Sequence, residues 1–311
     1  MSLSMILGLG QTALELALFN ALTVLALFLS YSMLNVCDLS TDGCYALGAA
    51  VGAVVAIAGH PWLSIPAAMG AGMLSGLVTA TLQTRMGVNS LLAGIIVNTG
   101  LYSVNIWIMG GSSLLNMNKT ETVFTQLKGA LKDTPFAGQF SLVIGLVAVA
   151  AVIAFLSFFL RTRLGLAIRA TGDNPDMVRS SSINPVFTTT VGLCVSNAFT
   201  ALSGCLLAQS QKSVDVNIGS GMVTVALASL LIGGVFLGRR SIPLRAVGAV
   251  LGAFVFRLVY TVALRFNLPA FMLKLISSVI VVIAISGPYL KKQFPLLKRQ
   301  LAAKFGKAGM Q

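Results

Sequence analysis

Phe140-Ser-Leu-Val-Ile-Gly-Leu-Val-Ala-Val-Ala-Ala-Val-Ile-Ala-Phe-Leu-Ser-Phe-Phe-Leu160 runs for 21 residues without a charge and ends on Arg161-Thr-Arg163. A helix crossing about 30 Å of hydrocarbon needs about 20 apolar residues, so this stretch reads as one membrane crossing with a basic stop. The same length test gives nine candidate spans, near residues 11–34, 43–59, 62–84, 88–109, 140–160, 187–208, 221–238, 246–264 and 268–288. The second and seventh are short and contain glycine, so either is open to reading as a broken or re-entrant segment. The expected fold is all-α, a polytopic membrane bundle of about nine helices within one domain, 1–311.

Composition agrees. Hydrophobic residues make up 56% of the 311 and charged residues 9%, where soluble domains carry about 45–50% and about 25%. A water-soluble globule is excluded. The formal charge of +13 sits in the gaps between apolar runs and in the tail, not on an amphipathic face, so the partner it implies is the bilayer surface and not nucleic acid. Cys37, Cys44, Cys194 and Cys205 lie in or beside apolar runs without metal-ligand spacing, and read as small hydrophobes. His60 precedes Pro61 in a turn, with no co-ligand near it, so no metal is expected. Residues 1–10 carry no basic residue and no small-x-small cleavage site follows the first span, which is therefore expected to stay in the mature protein.

With the tail placed inside, the inner segments hold Arg85, Arg161, Arg163, Arg169, Arg179, Arg239, Arg240, Arg245, Lys291, Lys292, Lys298, Arg299, Lys304 and Lys307. These 14 basic residues face five outside: Lys119, Lys128, Lys132, Lys212 and Arg265. The positive-inside rule then puts the N-terminus out and the C-terminus in. Gly48-x3-Gly52, Gly72-x3-Gly76 and Gly248-x3-Gly252 let helices approach closely in lipid, and mark the bundle interior.

Two stretches echo one another. Asp38-Leu-Ser-Thr-Asp42-Gly43 follows the first span, and Asp215-Val-Asn217-Ile-Gly-Ser-Gly221 follows the sixth. Arg85-Met-Gly-Val-Asn-Ser and Arg265-Phe-Asn-Leu-Pro-Ala join the next pairs, at offsets of 177 and 180 residues. Spans one to four thus match spans six to nine, and the odd number of crossings between them makes the halves inverted. Residues 1–110 form the first repeat, 111–139 an extracytoplasmic loop, 140–160 a linking span, 161–186 a cytoplasmic loop, 187–288 the second repeat and 289–311 a basic tail. Inverted repeats with polar, glycine-bearing breaks are the architecture of solute transporters, since broken helices expose backbone dipoles to a central pathway.

Three charges fall inside predicted spans, Glu15, Arg257 and Lys274. Each costs about 2.5–3.5 kcal/mol if unpaired. Glu15 and Lys274 share the outer third and are expected to pair; Arg257 lies near the midplane and is open to two readings, a charge paired within the bundle or one that faces the pathway and attracts a substrate carboxylate. Asn98, Tyr102 and Asn105 share one helix face, and Ser196, Thr200 and Ser203 form a second row with Asn197 beside it. Such rows either line a wet pathway or join helices by hydrogen bonds. Asp38, Asp42, Asn98, Asn105, Asn197, Asp215 and Asn217 are the candidate pathway residues.

Between the fifth and sixth spans runs Arg161-Thr-Arg-Leu-Gly-Leu-Ala-Ile-Arg169-Ala-Thr-Gly172-Asp-Asn-Pro175-Asp-Met-Val-Arg179. Asn174 can cap a helix, Pro175 suits its first position and Asp176 complements its dipole, so a short helix is expected from Pro175 to about Ser182. Standing alone in the cytoplasm, it needs something to dock on.

Arg161-Thr-Arg-x-Gly-x-Ala-x-Arg-Ala-x-Gly-Asp-Asn-Pro175 resembles the coupling loop of permease subunits of ABC importers, in the branched-chain amino acid and ribose permease superfamily. Leu34-Asn35-x-x-Asp38-Leu-Ser-Thr-Asp42-Gly43, Leu92-Ala-Gly94-Ile, Ser196-Asn197-Ala198, Leu202-Ser-Gly204, Asp215-Val-Asn217-Ile-Gly219 and Gly238-Arg-Arg-Ser241 fit the same pattern, nearest to the tryptophan/tyrosine permease branch. The resemblance implies a type II importer fold like that of the vitamin B12 importer: a permease homodimer, two ABC ATPase subunits beneath it and an extracytoplasmic substrate-binding protein. It implies that Gly172, Asp173, Asn174, Pro175, Asp176 and Arg179 enter the ATPase groove, and that the solute is a small amino-acid-like molecule, with the aromatic class resting on resemblance alone. Ser182 stands where relatives place Gly, and Val178 where they place Ala.

The chain is not expected to be an enzyme. In Gly233-Gly-Val-Phe-Leu-Gly238-Arg-Arg-Ser241, Arg239 replaces the Lys of a phosphate loop and Arg240 its Ser/Thr, so ATP and magnesium belong on the partner ATPase and this chain binds no cofactor. The rival reading is a stand-alone ion-coupled secondary transporter, for which Glu15 is the one carboxylate well inside a span. An intramembrane enzyme would need a metal site or a paired-Asp or Ser/Lys constellation that the spans lack. Segment 111–139, with Lys119, Glu121, Lys128, Lys132 and Asp133, is placed to dock a binding protein.

Overall fold

A computed structural model describes residues 3–130, 140–237 and 241–264, with isolated helical positions between 275 and 286. Most of the predicted ninth span, with Lys274, Arg239, Arg240, Arg265, Lys132, Asp133 and the basic tail, lies outside the described residues. The elements are α1 (Leu3–Leu27), continued by a π-helical turn (Phe28–Met33), α2 (Thr41–Ile57), α3 (Ser64–Thr84), α4 (Ser90–Ile108), β1 (Leu114–Asn116) and α5 (Val123–Ala130). They continue with α6 (Phe140–Phe159), α7 (Arg163–Asp173), α8 (Pro175–Ser180), α9 (Pro185–Gln211), β2 (Ser213–Asp215), α10 (Met222–Leu237) and α11 (Ile242–Leu264).

Among the described residues six helices are long and apolar enough to cross a membrane: Ala13–Met33, α3, α4, α6, α9 and Ile242–Val262 of α11. The other two predicted spans, α2 and α10, are shorter, with 17 and 16 residues. The expected nine crossings therefore become six long helices and two short ones in the described chain.

α9 is the axis of the bundle. Its side chains are mostly apolar or small, as suits a helix covered over most of its surface, and α1, α2 and α3 all pack along it. Its serine row binds it to α1: Ser196 Oγ donates to the Ala26 carbonyl (2.8 Å) and Ser203 Oγ to the Phe19 carbonyl (2.6 Å), so the two helices run antiparallel. Here the polar row joins helices. α2 lies beside α9 in the same direction, with Gly48 against Ala201 and Gly52 against Cys205, and α3 lays Gly72 and Gly76 over Asn197 and Leu193. Gly248 and Gly252 likewise bring α11 onto Gly233 and Ser229 of α10. At each of these sites a β-carbon would strike the facing helix, and that sets the small-residue spacing. α4 and α6 pack more loosely and turn Leu92, Ile96, Leu146 and Phe158 outward, as lipid-facing helices do.

The reason α2 is short lies in where it starts. Cys44 Sγ donates to the carbonyl of Asn197, 12 residues into α9, so α2 begins about 18 Å along a helix about 40 Å long. From there it runs toward the end where β1 and β2 pair antiparallel, Leu114 opposite Asp215 and Asn116 opposite Ser213. α10 starts beside the first turn of α2 and runs the opposite way, to where Leu237 and Arg245 meet Phe28 and Ser32. Two half-depth helices thus meet head to head in the middle of the bundle.

Candidate coupling surface and membrane-core junction

At the end of the bundle opposite the β-pair, the loop after α6 folds into two helices. Thr162 caps α7, its Oγ1 accepting from Gly165 N (3.2 Å), and α7 turns Gly165, Ile168 and Thr171 inward. This helix was not expected from sequence; Thr162 three residues before Gly165 was its available signal. Asn174 then ends α7, its N–H donating to the Ala170 carbonyl (2.9 Å), and caps α8, its Oδ1 accepting from Asp176 N (3.1 Å) and Met177 N (3.0 Å). Pro175 fills the first helical position, where its missing N–H costs nothing. α8 closes at Ser180, not Ser182, because Ser182 turns to φ +60°. Glycine adopts that conformation freely, which accounts for the Gly that the resemblance places there.

Asp173, Asn174, Pro175, Asp176 and Arg179 are exposed, as is Met177, while Val178 holds α8 down from beneath. Gly172 differs from the other five expected coupling residues: it faces inward, against the Met33 carbonyl and the backbone of Leu34. Thr171 Oγ1 shares a 2.8 Å hydrogen bond with Thr188 Oγ1 on α9.

The second polar centre lies at mid-depth, where α2 and α10 begin. Asp38 is fully buried and accepts from Ser40 N (2.8 Å), Ser40 Oγ (2.6 Å) and Asn197 Nδ2 (2.8 Å). Thr79 of α3 donates to Ser40 Oγ at 3.2 Å. Asp42, in the first turn of α2, accepts from Gly221 N (2.9 Å) and Val223 N (2.8 Å), which caps α10 across the junction. One carboxylate thus lies between the positive ends of two helix dipoles. Asn105 Nδ2 donates to the Gly43 carbonyl (3.2 Å), and Asn98 lies against Gly43 from the same helix. The structure therefore gathers Asp38, Asp42, Asn98, Asn105 and Asn197 around the start of α2. Asp215 and Asn217 are exposed, with Asn217 N donating to Asp215 Oδ1 (2.7 Å) in a local turn.

Sequence reasoning did not single out Ser40, Thr79 or Gln209. Gln209 is buried and ties three elements together, with Nε2 donating to Ser64 Oγ (2.6 Å) and Oε1 accepting from Val123 N (3.0 Å). A lone amide in an apolar run was the available signal.

Glu15 accepts from Gln11 Nε2 at 3.4 Å, and its expected partner Lys274 lies outside the described residues. The Arg257 guanidinium stacks 4.9 Å over the Tyr260 ring. Among the described residues no three His, Cys, Asp or Glu side chains come together as a metal site would require. A cavity of about 890 Å³ between α3, α5, α6 and α9 is lined, among the described residues, almost wholly by apolar side chains such as Met69, Phe155 and Leu202.

The family model described as "Branched-chain amino acid transport system / permease component" matches residues 12–285, which takes in both polar centres. The chain belongs to this family. It is 31% identical over 268 residues to a tyrosine transport system permease protein of Clostridioides difficile, covering 86% of each chain. It is 30% identical to an uncharacterised protein of Rickettsia prowazekii, over 89% of this chain and 96% of that one. A guanosine ABC transporter permease of Bacillus subtilis is 30% identical over 203 residues, 62% of this chain and 61% of the relative. No solved structure matches it. The chain is a multi-pass membrane permease subunit.

Proposed function

We propose that this permease forms the solute pathway of an ABC importer driven by two separate ATPase subunits, which carry the ATP and magnesium. The observation that carries the reading is α8: a capped, solvent-exposed helix that the described residues leave uncovered on its outer side, in a protein of the permease family. A second copy of the chain completes the pathway, and an extracytoplasmic binding protein delivers the solute. The chain sits in the bacterial cytoplasmic membrane with α7, α8 and the C-terminus inside and the N-terminus outside, as its basic residues favour.

The head-to-head start of α2 and α10 supports the inverted repeat, since the two echoing motifs Asp38–Gly43 and Asp215–Gly221 flank that junction. The pathway runs alongside this junction, whose helix ends Asp42 already neutralises, and is completed by the second copy. Resemblance to the tyrosine permease favours an aromatic amino acid as the solute.

Deletion of residues 173–179 should leave the permease in the membrane and abolish transport-coupled ATP hydrolysis by its co-expressed ATPase. Stimulated hydrolysis that survives the deletion refutes the coupling role. Transport by the purified chain alone under a proton gradient would instead favour the secondary-transporter reading.

A further inference from the structure

We infer that Gly172 is a positioning residue, seating α7 on the π-helical end of α1 so that movement of α8 reaches the buried Asp38 turn through their backbone contact. The inference rests on the reading of α8 as the ATPase-docking helix.

Four observations make the route. First, α7 and α8 share Asn174 as the cap of both, so a push on α8 has no slack to absorb it before α7 moves. Second, α7 is fastened to the bundle: Thr171 bonds Thr188, and Ile168 packs with Leu34, Ala80 and Leu193 in one buried cluster. Third, the absent side chain of Gly172 lets the Met33 carbonyl and the Leu34 backbone lie directly against it. Any β-carbon there would collide with backbone, which cannot rotate out of the way.

Fourth, the element so contacted is able to shift. Phe28–Met33 is a π-helical turn, extended by Leu34 N to the Leu29 carbonyl (3.1 Å) and Val36 N to the Ser30 carbonyl (2.9 Å), and followed by Asn35 at φ +57°. A π turn holds one residue more than an α turn can, and such turns gather at functional sites. Returning it to α-helix would rotate the chain that follows by about 100°, the angle per residue of an α-helix. Five residues after Met33 stands Asp38, bonded to Asn197, and after it the start of α2. On the other side of the turn Arg245 of α11 donates to Ser32 Oγ (2.8 Å) and sits 5.7 Å over the Phe28 ring. The turn is thus held between α7 and a fixed anchor on α11, the arrangement of a two-state element biased from one side.

The test uses the assembled permease–ATPase complex in liposomes. Gly172→Ala should lower transport about tenfold while the complex still assembles and hydrolyses ATP, a size typical of residues along a coupling route. Full transport by the variant overturns the inference. Should the variant fail to assemble, hydrogen exchange on the unmodified complex decides: amides of residues 28–38 should change protection between the nucleotide-free and vanadate-trapped states. Identical exchange in the two states overturns the inference. If the ATPase does not associate with the unmodified permease at all, it is the ABC reading that fails.

Discussion

The junction at mid-depth and the turn around α8 are both rich in polar residues, and they use them in opposite ways. At the junction Asp38 and Asp42 spend their oxygens on the chain's own donors. In the turn around α8 Asp173, Asp176 and Arg179 stand in solvent, while the amide of Asn174 and the hydroxyls of Ser180 and Ser181 bond within the turn. In hydrocarbon an unmet polar group is costly, so polarity at depth is first of all architecture. At the water-facing end it costs nothing to leave a charge unused, so exposed charges on an ordered helix are available for a partner.

The contrast breaks most visibly at Asp38. Asp38→Ala would leave three buried donors without an acceptor and should destabilise the detergent-solubilised protein by about 3 kcal/mol, read as a large drop in melting temperature. Asp176→Ala should leave melting unchanged and instead weaken co-purification of the ATPase. If the two variants behaved alike, the division between architecture and recognition would be wrong.

A smaller effect tests the cap shared by α7 and α8. Asn174→Ala removes the cap of α8 and should cost that helix about 1 kcal/mol. Global melting should hold while ATPase binding falls, since α8 is ordered largely by its cap and by Val178. Smallest, and opposite in sign, is Ser182→Gly. Relief at φ +60° outweighs the added freedom of the unfolded chain and should stabilise the loop by about 0.5 kcal/mol, measurable as slower exchange of the Ile183 amide.

Much of this was readable from the residue order. Run length placed the long helices to within a few residues, except that α1 begins at Leu3 rather than near residue 11. Asn174-Pro175-Asp176 declared the start of α8, because capping is a local matter of three consecutive residues. The π turn could not be read, since Phe28–Met33, Phe-Leu-Ser-Tyr-Ser-Met, suits the end of a span in either helical form and its extra residue leaves no compositional mark. Nor could the bond between Asp38 and Asn197, 159 residues apart, be found by any local rule. α7 was missed because its charges resemble a solvated strip, and only its buried face, Gly165, Ile168 and Thr171, reveals a helix lying on the bundle. The polar rows of α4 and α9 had two readings from sequence; Ser196 and Ser203 prove to be joints, and Asn105 is bonded to the backbone of α2.

The short ladder between β1 and β2 carries a consequence for the far rim. It stitches the exit of α4 to the exit of α9 through paired main chains, with Met117 N reaching the Lys212 carbonyl (2.9 Å) and Val216 N the Ser113 carbonyl (3.0 Å) at its two margins. The two exits are held at one spacing, so this rim moves as one piece.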